Sequence, residues 1–150
     1  MNENPDIIVI GIGSILRTDD AVGVRVVEQL EIEGVPEYVR LIFGEISGLD
    51  LIKHFHHNKV ILVDCAKMNT LPGTIKTFTP DDIFFSEMRG SVSTHGMDLQ
   101  QTIKLAKELK EYPNIIIAGI EPWNTEFGLD LSTKMKEIIP KAAKIVRNLF

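Results

Sequence analysis

Short apolar runs that end in glycine or a carboxylate punctuate the chain, and between them the apolar positions shift to helical spacing. Ile7 to Ile10 is an unbroken apolar run closed by Gly11-Ile12-Gly13, the form of a strand buried on both faces. From Asp20 to Leu30 the period changes. Val22, Val26, Val27 and Leu30 share one helical face, and Thr18 or Asp19 stands where an N-cap is expected. Val39 to Phe43 predicts a second strand, Leu49 to Phe55 a second helix, and Val60 to Val63 a third buried strand ending in Asp64. Leu71-Pro72-Gly73 marks a turn, after which Thr74 to Phe78 alternates like a strand with one exposed face, and Pro80-Asp81-Asp82 opens a short helical turn. An amphipathic helix is expected over Asp98 to Leu109 and a buried strand over Ile115 to Ile117, closed by Gly119. Ser132 caps a last helix running to the C-terminus, which Pro140 should kink or split.

Strands alternating with helices in this order predict an α/β fold: a three-layer α/β/α sandwich, phosphorylase/hydrolase-like, around a mostly parallel twisted sheet of about five strands. With 150 residues, the chain is long enough for one domain, 1–150, with its own core. In such sheets ligands bind beyond the carboxyl ends of the strands. The segments after Ile10, Val63 and Ile117 are therefore where chemistry is expected.

Charge and cysteine usage narrow the partners. The net charge is -5 and no stripe of Lys and Arg exists, which argues against a nucleic-acid partner. One cysteine, Cys65, cannot form an internal disulfide or build a thiolate zinc site, and it suits a reducing compartment. The start, Met-Asn-Glu-Asn-Pro-Asp, lacks the basic and apolar regions of a signal peptide, and no apolar stretch reaches the roughly 18 residues of a membrane span. The expectation is a cytoplasmic protein with no membrane partner, and a monomer.

The segment Gly11 to Asp20 has a strand-GxG-helix form that invites a dinucleotide reading. The third glycine of that fingerprint would fall on Leu16, and Asp19 and Asp20 stand where a pyrophosphate would meet the helix N-terminus. Two carboxylates there repel a phosphate and attract a cation. They also complement a helix dipole, a modest effect of about 0.3–1 kcal/mol each, so capping and chemistry are both open for Asp19. Asp64, at the end of an apolar strand, either accepts backbone hydrogen bonds or serves a site. His95 lies in the polar loop Ser93-Thr94-His95-Gly96. Two carboxylates and an imidazole gathered at one sheet edge would suit a borderline divalent metal such as zinc or nickel, with positions left open for substrate or water. His54-Phe55-His56-His57 is the competing metal candidate, although adjacent histidines do not share a helical face. Cys65 with His95 as base is a competing nucleophile, against the reading of a small buried thiol.

Together these residues resemble the hydrogenase maturation protease family. Its first motif, G-[VI]-G-N-x-L-x-x-D-[DE]-[GA]-x-G, appears as Gly11-Ile12-Gly13-Ser14-Ile15-Leu16-Arg17-Thr18-Asp19-Asp20-Ala21-Val22-Gly23. A strand ending in V-D-A appears as Val63-Asp64-Cys65, [ST]-x-H-x-x-x-L as Ser93 to Leu99, and G-I-[EQ]-P as Gly119-Ile120-Glu121-Pro122. Gly128-Leu129-Asp130-Leu131-Ser132 also has the family's look. Pro80 to Ile83 and the Gly-Ile-Glu-Pro motif bring the chain nearest to the formate-hydrogenlyase and archaeal subgroups. The resemblance implies an endopeptidase that recognises nickel in a [NiFe]-hydrogenase large-subunit precursor and removes its C-terminal extension. The catalytic and metal-contacting positions fall on Asp20, Asp64 and His95. The nickel would come with the substrate, so the isolated protein should bind it weakly, and other divalent metals could occupy the same place. The chain departs from the family pattern at Ser14, where Asn is usual, and at Cys65, where Ala is usual. It departs again at Phe43-Gly44-Glu45, where an aspartate and glycines are common, and no role is carried over to Glu45. Two other classes stand beside this reading: a nucleotide-binding Rossmann-like protein, and a non-catalytic nickel-dependent adaptor or chaperone of hydrogenase assembly.

Overall fold

The computed structural model describes residues 6–44, 49–55, 58–82, 99–109 and 114–150. Five strands form one sheet: β1 (Ile7–Ile12), β2 (Val39–Gly44), β3 (Lys59–Cys65), β4 (Ile75–Phe78) and β5 (Asn114–Ile120), in the order β2-β1-β3-β5-β4. The β1–β2, β1–β3 and β3–β5 pairs are parallel, and β4 runs antiparallel along the edge of β5. Four helices are described over their length, α1 (Val22–Glu33), α2 (Leu49–Ile52), α3 (Leu99–Glu108) and α4 (Thr133–Arg147), and residues 80–82 open a further helical turn, as expected.

The apolar strands are buried on both faces because helices cover both. Ile7 and Val9 of β1, with Ile61 and Val63 of β3, pack against Val22, Val26 and Leu30 of α1 and Met135, Ile139 and Val146 of α4. The alternate residues, Ile8 and Ile10 of β1 and Val60 and Leu62 of β3, pack against Leu51 and Ile52 of α2 and Ile103 and Ala106 of α3. A period of two along each strand thus divides the core between the two sides of the sheet. The expected three-layer α/β sandwich is present.

Several element boundaries differ from the sequence expectation for physical reasons. The helix expected from Asp20 opens instead with a 3-10 turn, Thr18–Ala21, and neither Thr18 nor Asp19 caps it with a side chain. Asp64 lies within β3, which continues to Cys65 because Asp64 and Cys65 pair with Gly119 and Ile120 of β5. α4 is one unbroken helix through Pro140, capped as expected by the Ser132 hydroxyl, which accepts the Met135 N–H at 3.3 Å. Pro140 is exposed, so its missing N–H lies on the solvated side of the helix and does not split it. β4 exposes two adjacent residues, Lys76 and Thr77, in place of a strict alternation, as suits an edge strand.

Candidate functional site

The chain leaves β1 to form β2 on one side of it and then returns to form β3 on the other. The crevice between the carboxyl ends of β1 and β3 is therefore the topological switch point, where ligands bind in sheets of this kind. Asp20 follows β1 and Asp64 lies near the end of β3, so both flank this crevice. Both are buried. The Ser14 main-chain N–H donates to Asp20 Oδ2 at 2.9 Å, drawing the loop after β1 around that carboxylate.

The helix that carries Asp20 lies unusually close to the sheet, and glycines make this possible. A Cβ on Gly23 would overlap the carbonyl oxygens of Val63 and Ile12. A Cβ on Gly11 would overlap the Gly23 carbonyl, and one on Gly13 the Asp20 carbonyl. The glycines of the first motif thus serve backbone contact between β1, β3 and the start of α1. The space in which a dinucleotide's pyrophosphate would approach Gly11 and Gly13 is filled by the protein's own backbone.

Asp19 and Asp20 are adjacent but take different parts. Asp19 is fully buried. Its Oδ2 accepts the N–H groups of Trp123 at 2.9 Å and Asn124 at 3.1 Å and the Ser132 hydroxyl at 2.9 Å, while Oδ1 accepts the Ser132 N–H at 2.7 Å. Ser132 is the N-cap of α4, so Asp19 places its charge at the positive end of the last helix rather than the one it precedes. Asp19 therefore does not cap the helix it precedes, as the sequence suggested, but braces the N-terminus of α4.

Cys65 follows Asp64 and is buried. Burial and then the negative charges of Asp64, Asp20, Asp19 and Glu121 push its thiol far up from the ordinary value. The thiol stays protonated near neutral pH and is no nucleophile.

His95, Glu45, His56 and His57 lie outside the described residues. His54 closes the turn after α2, its N–H donating to Leu51 O at 3.1 Å, and α2 belongs to the helical layer opposite α1. Among the described residues no three of His, Cys, Asp and Glu are disposed to hold a metal ion. Of the expected triad, Asp20 and Asp64 lie near the carboxyl ends of the neighbouring strands β1 and β3, and His95 is outside the described residues.

The model of the hydrogenase maturation protease family HycI matches residues 24–149. The chain belongs to the hydrogenase maturation protease family. Hydrogenase 2 maturation protease of Escherichia coli K12 is 28% identical over 145 residues, 93% of this chain and 87% of that protein. The hydrogenase expression/formation protein HupD of Thiocapsa roseopersicina is 31% identical over 149 residues, 97% of this chain and 67% of that protein. The structure of the hydrogenase maturating endopeptidase HybD from Escherichia coli superposes with a TM-score of 0.79 at 27% identity, covering 93% of this chain and 88% of its own.

In this protease the departures from the family motifs have a structural reading. At Ser14 the contact to Asp20 comes from the main-chain N–H, which any residue but proline supplies, while the hydroxyl accepts the Leu16 N–H at 3.3 Å. Cys65 fills the place of a small buried residue. Glu121, of the Gly-Ile-Glu-Pro motif, was not among the expected site residues. It is buried beside the end of β5, and its Oε1 accepts the Met68 N–H at 2.7 Å, the Thr70 N–H at 3.1 Å and the Thr70 hydroxyl at 3.0 Å. It holds the segment that follows Asp64 and Cys65 against the sheet. A polar residue directly after a buried strand was the only sign of this in the sequence. Among the described residues, no helix of this protease is long and apolar enough to cross a membrane.

Proposed function

We propose that the protein is a nickel-dependent endopeptidase that recognises nickel in a [NiFe]-hydrogenase large-subunit precursor and removes the precursor's C-terminal extension. The observation that carries this reading is the pair of buried carboxylates, Asp20 and Asp64, brought from separate strand ends to the switch point of the sheet. Two carboxylates in one crevice favour a divalent cation, and His95 completes a donor set of two oxygens and one nitrogen that suits nickel. The nickel belongs to the substrate. A set of three leaves coordination positions for the precursor's own ligands, so only a metal-loaded precursor is held productively. Nickel held by Asp20, Asp64 and His95 would supply Lewis-acid chemistry, polarising a carbonyl or activating a water, and one of the two carboxylates would serve as the proton acceptor. The reading carries with it a monomeric enzyme of the cytoplasm, a reducing compartment that suits a single free cysteine.

The test is intact-mass analysis of the precursor after incubation with the protein, with and without nickel loaded. Loss of the tail only from the nickel-loaded form supports the proposal. Binding of the precursor without trimming identifies an adaptor, and tight binding of NAD(P) or ATP by the isolated chain a nucleotide-binding protein. Unchanged trimming by His95→Ala removes His95 from the site. A stoichiometric, tightly held metal in the purified protein counts against a nickel supplied by the substrate.

A further inference from the structure

Four of the large apolar side chains exposed among the described residues fall on two loops beside Asp20: Ile15 (43% exposed) and Leu16 (50%) on one, Phe127 (84%) and Leu129 (74%) on the other. These loops are joined to each other. The Gly128 N–H donates to Leu16 O at 2.9 Å and the Thr18 N–H to Gly128 O at 3.1 Å, forming a parallel bridge between Arg17 and Gly128. The Thr18 hydroxyl donates to Glu126 O, and Arg17 Nε to Thr125 O at 3.2 Å. The Arg17 guanidinium stands over the Phe127 ring, 5.2 Å from its centroid. Asp19 ties the base of the second loop through Trp123 and Asn124.

So much fixation around an exposed phenylalanine is informative. Single exposed apolar residues are ordinary, but four on two loops that are hydrogen-bonded to each other point to an interaction surface. Thr18 is held at φ 49°, a conformation that a β-branched residue adopts only when its surroundings impose it. The aromatic anchor is thereby presented with its ordering cost already met, as binding hot spots require.

Position decides the occupant. Ser14 N is 2.9 Å from Asp20 Oδ2, so the Cα of Ile15 lies within roughly 8 Å of that carboxylate by ordinary backbone dimensions. A specific protein interface covers about 800 Å² of each partner, equivalent to a disc of about 16 Å radius. A protein substrate that reaches Asp20 must therefore also cover Ile15 and Leu16, and with them the bridged Phe127 and Leu129. We propose that Ile15, Leu16, Phe127 and Leu129 form the docking surface for the protein substrate, taking apolar side chains of the precursor on the face next to its scissile bond, with Arg17 setting the Phe127 ring. This assignment rests on the function proposed above.

The experiment compares wild type with Phe127→Ala and with Phe127→Ala/Leu129→Ser, using nickel-loaded precursor and reading KM and kcat of tail removal. Both positions are exposed, and thermal unfolding confirms that the variants fold. KM is expected to rise about tenfold for the single and further for the double variant, with kcat lowered less than about twofold, and Phe127→Tyr is expected to restore KM. Unchanged KM in the double variant overturns the proposal. If wild type trims nothing, the proposed function fails, and calorimetric binding of the same precursor decides the surface alone. Weakened binding by the variants then supports it, and equal binding overturns it. A wild-type self-association that the double variant abolishes, with precursor binding unchanged, assigns the patch to a second copy of the chain and likewise overturns it.

Discussion

Asp19 and Asp20, one peptide bond apart and both buried, serve different ends. Asp19 satisfies two segments of backbone and the cap of α4 with four hydrogen bonds. Removing a buried carboxylate so engaged strands its donors, so Asp19→Ala is expected to cost about 3 kcal/mol or more, lowering Tm by roughly 6–12 °C in thermal unfolding. Asp20→Asn keeps an oxygen for the Ser14 N–H and should unfold near the wild-type temperature, yet lose tail cleavage at least about a hundredfold. Cys65 gives a prediction in pH. Folding holds its thiol above the ordinary value of 9.0, so the unfolded chain releases that proton first. The stabilisation from keeping the thiol neutral is complete below pH 9 and is lost as pH rises beyond it, by about 1.4 kcal/mol per unit. Denaturant titrations should show wild type losing stability relative to Cys65→Ala above pH 9 and matching its slope below pH 8. The placement of Asp20 and Asp64 near the ends of β1 and β3 was legible in the sequence because carboxylates after apolar runs stand out against their surroundings. The part taken by Asp19 was not, since its partners lie 104 to 113 residues away.

At the level of elements, apolar periodicity located the five strands and the helices α1 to α4 among the described residues, because burial on two sides of a sheet imposes it. The close seat of α1 was less legible. Gly11 and Gly13 have the form of a phosphate-binding turn, and the close approach of Gly11 to the Gly23 carbonyl and of Gly13 to the Asp20 carbonyl shows that they serve packing. Gly23→Ala must push α1 and the 3-10 turn off β3. It is expected to destabilise by about 3 kcal/mol, at the upper end for overpacking, and to lower cleavage further by shifting Asp20 against Asp64. Pro140 offers the opposite case. It lies exposed within α4 without breaking it, so Pro140→Ala restores a helical N–H at little cost elsewhere. A gain of about 1–2 kcal/mol is expected, the helix preference less the unfolded-state entropy that proline removes. Thermal unfolding with unchanged cleavage kinetics checks it.

Across the whole molecule, strand order brings separate motifs to one end of the sheet. With β1 and β3 adjacent and parallel, and β5 beside β3, residues 20, 64 and 121 arrive at the same edge of the sheet although the sequence scatters them over two thirds of the chain. Strand order is not written in periodicity, which is why the sequence made this convergence plausible without fixing it. The central claim is that Asp20 and Asp64 act jointly on one nickel of the substrate. A double-mutant cycle on the rate of tail removal, read by intact mass with nickel-loaded precursor, tests it most directly. If the two carboxylates hold one metal, Asp20→Asn and Asp64→Asn each remove most of the rate, and the double variant is scarcely slower than either alone. Losses that multiply in the double variant would show two independent contributions and would contradict a shared metal.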